Sequence, residues 1–196
     1  MRTIVERVDM ARLAIMYLHG GVYADLDMEL RSAALLRCAV RLNRIILPYE
    51  VGRLIGQSIL ISPPNQLFWK QLAHRLVQDY NSSCYEPQNT GPDAITRVWN
   101  ERCGGAAPRA GRPPLDVRGV LIVDGLTMGP LTFHHITGSW RREASLARRR
   151  GELGCAFRRE RLLTTPSASS EARGACGAVL NLTLDRARRW HCHGMR

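Results

Sequence analysis

Two periodicities meet at a glycine pair near the start of the chain. Over Thr3–His19, Val8, Ala11, Ile15 and Leu18 recur at three-and-four spacing, which predicts a helix with these residues on its inner face. Thr3 with Glu6 reads as a capping box, and Gly20 is placed to end the helix. From Val22 to Met28 the period falls to two. Val22, Ala24, Leu26 and Met28 alternate with Tyr23, Asp25 and Asp27, which predicts a two-faced strand. Both carboxylates then fall on one side, roughly 7 Å apart at ~3.3 Å rise per residue.

Further along, Glu29–Arg44 reads as a polar loop with a short helix over Ala33–Val40. Ile45-Ile46-Leu47 is a buried strand closed by Pro48, and Ile59-Leu60-Ile61 is another, stopped by Ser62-Pro63-Pro64. Asn65 or Ser62 caps a helix from about Gln66 to Tyr80, with Leu67, Phe68, Leu72, Leu76 and Tyr80 inward. Thr90-Gly91-Pro92 opens a helix Pro92–Asn100, Gly104–Pro114 is a low-complexity surface loop, and Val120–Val123 is a late strand. Arg141–Leu163 and Asn181–Arg189 have helical character on either side of a linker-like stretch.

The chemistry concentrates where the two periods meet. Two aspartates on one side of an apolar strand repel each other and lose hydration, so something must compensate them. A divalent cation with hard oxygen ligands does this and keeps positions open for phosphate oxygens. Asp9 and Arg12, three apart, share a helix face that the Gly20-Gly21 turn folds back toward the strand. A carboxylate pair, a third carboxylate and a guanidinium in one region suit a sugar attached to a diphosphate.

The segment Val8–Met28, with its D-x-x-R and G-G-V-Y-A-D-L-D, resembles the core of the DXD-motif glycosyltransferases of family 32. These are the fungal-type α-mannosyltransferases of N-glycan outer chains and of inositol-phosphorylceramide, and the clostridial glucosylating toxins are more distantly similar. The resemblance implies that Asp9, Arg12 and Asp25 bind the donor sugar and that Asp27 holds a metal, Mn²⁺ or Mg²⁺. G-Q-S-I-L-I-S-P-P-N-Q-L-F-W is also family-like, with Gln57 where Asn is usual, so a sugar contact by Gln57 stays open. T-G-P, near the donor site in the family, falls on Thr90-Gly91-Pro92. In Phe133–Trp140, the family's C-terminal metal-site histidine falls on His134 in preference to His135, and Trp140 faces the leaving diphosphate.

What the resemblance implies is a GT-A-like α/β fold with a mostly parallel sheet, over a partial glycosyltransferase domain 1–140 followed by a basic tail 141–196. Only eight residues precede Asp9, so the first β-α-β unit is expected to be missing, and with it any membrane anchor. The implied activity is metal-dependent, retaining transfer of mannose from GDP-mannose to a glycan or sphingolipid head group, with no protein general base. The alternative is a non-catalytic remnant that binds nucleotide sugar without turnover.

Composition changes this picture little. The net charge of +11 invites a nucleic-acid partner, but 27 of the 28 basic residues are Arg, and residues 141–196 carry 13 Arg against 5 acids. The excess belongs to the tail, which argues against nucleic acid. No 18-residue apolar run and no signal-peptide pattern occurs. The six cysteines lack C-x-x-C spacing, and His191-Cys192-His193 is read as accidental rather than as a metal site. Together with the sequons at Asn81 and Asn181 they are compatible with a Golgi or other secretory lumen.

Overall fold

The computed structural model describes residues 1, 3–50, 54–82, 84, 86–103, 117–124 and 128–135. The expected surface loop at 104–114, the helical stretches and linker of the tail, the H-C-H triplet, Asn181 and Trp140 lie outside the described residues. Within them the order is α1 (Ile4–Leu18), β1 (Gly21–Ala24), β2 (Met28–Leu30), α2 (Ala33–Arg41), β3 (Ile45–Glu50), β4 (Leu54–Ile55), β5 (Ile59–Ser62), α3 (Leu67–Gln78), α4 (Glu86–Asn89), α5 (Pro92–Cys103), β6 (Val120–Asp124) and β7 (Thr132–His134).

Apolar residues of the central strands divide between two cores, as a period of two requires. Ile45, Leu47 and Leu60 join Leu13 and Met16 of α1, the Phe68–Leu76 face of α3 and Ile95, Val98 and Trp99 of α5. Ile46, Ile59 and Ile61 point the other way, with Ala39 of α2, Val123 and Leu131. Helices therefore cover both faces of the sheet, and the continuous apolar runs of β3 and β5 are those of strands buried on both sides. The α/β class holds, and a mixed sheet of this kind is consistent with a GT-A-like fold.

The sheet is not mostly parallel. Its path is β1-β5-β3-β4 with β6 on β3, and among the described residues only the β3–β6 pair is parallel. A separate antiparallel ribbon joins β2 to β7. Nor does Pro48 close β3, which runs on to Glu50. Pro48 sits where the neighbour along one edge changes from β5, paired at Ile46, to β4, paired at Tyr49. Its carbonyl still accepts from Gly56 N–H at 2.9 Å, so the residue that cannot donate lies where the ladder is interrupted.

The capping box closes as expected: Glu6 N–H donates to Thr3 Oγ1 at 3.1 Å and Thr3 N–H to Glu6 Oε2 at 3.2 Å. The helix face is the reverse of the expected one. Val8, Ile15 and Leu18 are exposed, as is Ala11, while Glu6, Asp9, Arg12, Leu13 and Met16 are buried. α1 is apolar on two sides, and a periodicity argument cannot choose between them when polar residues find partners inside. At α3, Leu67 is exposed and Trp69 is buried in its stead. Neither Asn65 nor Ser62 caps this helix. Gln66 is the N-cap, its side chain donating to Pro64 C=O rather than capping the helix, Asn65 is left-handed at φ 59°, and Ser62 Oγ accepts from Trp69 Nε1 at 2.8 Å.

Gly20 (φ +61°) makes the turn between α1 and β1 against the Ser62-Pro63-Pro64 stop. A Cβ there would meet Pro64 N at 2.4 Å and Ser62 O at 2.6 Å. Both are backbone atoms, so no side chain can move aside. Gly20→Ala is expected to lower stability by at least about 2 kcal/mol, the sum of a left-handed φ and a main-chain clash. Urea unfolding with a wild-type midpoint would contradict this packing.

Candidate active site

The inward turn of α1 makes its polar residues the wall of a site. Arg12 is at the centre and only 7% exposed. Its Nη2 lies 3.1 Å from Asp9 Oδ1 and its Nη1 lies 3.2 Å from Asp25 Oδ1. Nη1 also donates to the Gln57 carbonyl at 2.7 Å, and the guanidinium carbon lies 4.8 Å from the centre of the Tyr23 ring. Tyr23 O–H donates to Asp25 Oδ1 at 2.8 Å. Asp9 is completed from across the fold, where Thr90 Oγ1 donates to its Oδ2 at 2.8 Å.

Asp25 and Asp27 are not on a continuous strand. β1 stops at Ala24, and Asp25–Met28 forms a turn closed by Met28 N–H to Asp25 C=O at 3.0 Å, with Leu26 fully exposed at its tip. The chain then leaves the main sheet for the β2–β7 ribbon. A turn gathers the two carboxylates as well as a strand would, because the ribbon brings a third group to them. Met28 pairs with His134, and His135 N–H donates to Asp27 C=O at 3.0 Å. His134 Nε2 lies 3.4 Å from Asp27 Oδ1.

Asp25, Asp27 and His134 each present one ligand atom, all within 4.8 Å of one another, and all three are half-buried. Two hard carboxylate oxygens and an imidazole nitrogen suit Mn²⁺, or Mg²⁺ with more water in its shell. His135 turns away, to an exposed contact with Glu29 Oε2 at 3.1 Å. Structure thus brings Asp9, Arg12, Asp25, Asp27 and His134 together, while Trp140 lies outside the described residues.

Residues 1–46 match the family model for a glycosyltransferase sugar-binding region containing DXD motif. The match supports a glycosyltransferase. It runs from α1 into β3 and so contains Asp9, Arg12, Asp25 and Asp27, while His134, Thr90 and Gln57 reach the same cluster from outside the matched segment. Neither curated proteins nor solved structures give a significant match to the chain. A sugar-binding region of this class implies a nucleotide-sugar donor.

Three contributors had little or no sequence signal. Gln57 acts through its main-chain carbonyl, which no residue type announces, and its Nε2 donates to Thr90 C=O at 3.1 Å. Its Oε1 is buried without a partner among the described residues, while Nε2 engages the scaffold. Tyr23 read merely as one of the alternating positions. Thr90 was visible only as part of T-G-P.

Burial pushes the Asp9 carboxyl up to about 6 from 3.8, against the pull of Arg12 and of the Thr90 hydrogen bond, with Asp25 and Glu6 adding to the rise. The ion pair does not win here, because desolvation of a buried carboxylate outweighs one partner. Tyr23 is likewise pushed up to about 12, chiefly by burial, so its hydroxyl stays a donor to Asp25. Since the folded value for Asp9 is the higher, its contribution to stability is full below about pH 3.8 and is lost as pH rises through about 6. Asp9→Asn cannot ionise. It is expected to gain on the order of 2–3 kcal/mol relative to wild type between pH 4 and pH 7, measured by urea unfolding at both. A stability difference that stays constant with pH would refute it.

Proposed function

We propose that this chain is a metal-dependent, retaining hexosyltransferase, moving mannose from GDP-mannose to a glycan or sphingolipid head group. The observation that carries the proposal is the convergence of Asp25, Asp27 and His134 beside the buried Asp9–Arg12 pair. Asp27 and His134, with Asp25, would hold a divalent cation, which when bound supplies positive charge to the diphosphate leaving group. Asp9, Arg12 and Asp25 orient the donor sugar, and much of the rate then comes from positioning and electrostatics. No side chain is assigned as general base. In front-face transfer with retention, the departing phosphate oxygen takes the proton of the acceptor hydroxyl. Retention, mannose and the acceptor class rest on the resemblance to family 32.

Cys38, Cys84 and Cys103 are disulfide-bonded, which supports placing the enzyme in a Golgi or other secretory compartment. No helix among the described residues is long and apolar enough to cross a membrane. Membrane association through a segment outside these residues belongs to the same proposal. Calorimetric titration with GDP and UDP, each with and without Mn²⁺, tests the reading. Metal-dependent binding of one nucleotide is the expected result, and binding of GDP over UDP is required by the mannosyl assignment. Absence of both sinks the proposal for this chain.

A further inference from the structure

The buried polar groups behind the donor side close into a ring. Gln57 Nε2 donates to Thr90 C=O at 3.1 Å, and Thr90 Oγ1 donates to Asp9 Oδ2 at 2.8 Å. Asp9 Oδ1 meets Arg12 Nη2 at 3.1 Å, and Arg12 Nη1 returns to the Gln57 carbonyl at 2.7 Å. Thr90 is fully buried, and α5 begins two residues on at Pro92, with Ile95 N–H on Gly91 C=O at 3.1 Å. The hydroxyl is therefore carried on a fixed mount. An ionised carboxylate only accepts, so this hydroxyl donates, and it occupies the one Asp9 oxygen that Arg12 does not.

We propose that Thr90 is a positioning residue, whose hydroxyl holds the Asp9 carboxylate ionised and oriented so that Asp9 and Asp25 divide the Arg12 guanidinium between them. Asp9 bonds directly to Arg12 of its own helix, while Glu6 of α1, Tyr23 of β1 and Asp25 act on it only electrostatically. Thr90 is its donor from the α5 side. Without that hydroxyl, Oδ2 is a buried acceptor with no donor, and the carboxyl relieves this by taking a proton. Arg12 then loses one of its two counter-charges. The consequence for donor binding rests on the glycosyltransferase reading; the consequence for Asp9 does not.

The test uses two variants of the full chain. Thr90→Val keeps the shape and removes the hydroxyl, whereas Thr90→Ser keeps the hydroxyl. The Asp9 carboxyl is followed by ¹³C NMR titration, assigned by its absence in Asp9→Asn. A lost hydrogen bond to a charged group should raise the Asp9 midpoint by about one to two pH units in Thr90→Val, with Thr90→Ser at the wild-type midpoint. Affinity for GDP-mannose in Mn²⁺ at pH 7 should fall with the ionised fraction of Asp9, by about twofold to tenfold in Thr90→Val, and recover in Thr90→Ser. A wild-type midpoint in Thr90→Val overturns the proposal. Should that variant not fold, a raised midpoint in Thr90→Ser overturns it alone, and an unchanged one upholds it. A titration as expected with no GDP-mannose binding at any pH sinks the donor reading while leaving the role of Thr90 toward Asp9 in place.

Discussion

Arg12→Ala is expected to destabilise the fold by about 3–5 kcal/mol at pH 7, measured by urea unfolding. Arg12 pairs with both Asp9 and Asp25, and it also satisfies the Gln57 carbonyl. Truncation leaves a carboxylate that is 3% exposed without its cation and a carbonyl without its donor. Replacing the whole cluster by apolar residues would cost far less than removing one member, because the large cost comes from the charge left behind. Arg12→Lys separates charge from geometry. An ammonium keeps the positive charge but lacks the planar fork that reaches both carboxylates, so it should recover less than half of the loss. The penalty should also shrink below about pH 6, where the Asp9 carboxyl is protonated and no longer needs a cation. An Arg12→Ala protein with the wild-type unfolding midpoint would show that the cluster carries no such strain.

What the sequence made legible follows from how local each cause is. A capping box spans four residues, and the Ser62-Pro63-Pro64 stop removes backbone donors in place, so both were readable. The apolar runs at Ile45 and Ile59 are buried whichever face they present, so strand type was readable while partners and direction were not. The misread parts depend on distant chain. α1 turns its polar side inward because Tyr80 O–H and Asn89 Nδ2 reach Glu6 and Thr90 reaches Asp9. Asp25–Asp27 is a turn rather than a strand because Met28–Leu30 pairs with Thr132–His134, a hundred residues away, instead of extending β1. Both readings had still brought together the carboxylates that the fold gathers. D-x-x-R on one helix face and D-x-D within three residues are fixed by spacing, whatever covers the rest of the helix.

Removing one carboxylate of the triad should have the other large effect. In Asp27→Asn, the neutral amide offers a weaker oxygen and no longer offsets the cation's charge, and His134 loses its nearest partner at 3.4 Å. Mn²⁺ affinity is expected to fall by at least about a hundredfold, beyond the 10–100-fold typical of outer-shell changes. His134→Ala should weaken Mn²⁺ by a smaller factor, since two carboxylates remain. His135→Ala is the control. Its side chain faces Glu29, and its contact to the site is the backbone N–H on Asp27, which alanine keeps. It should bind Mn²⁺ within about twofold of wild type, because hard cations follow their ligand oxygens and imidazole rather than a neighbouring surface pair. Electron paramagnetic resonance of free Mn²⁺ measures all three without requiring turnover. Equal affinities for the Asp27 and His135 variants would mean that the cation, if bound, sits elsewhere. The order Asp27→Asn weakest, His134→Ala next and His135→Ala unchanged would assign the ligands one by one, and chelation by EDTA should then bring wild-type nucleotide affinity down to that of Asp27→Asn.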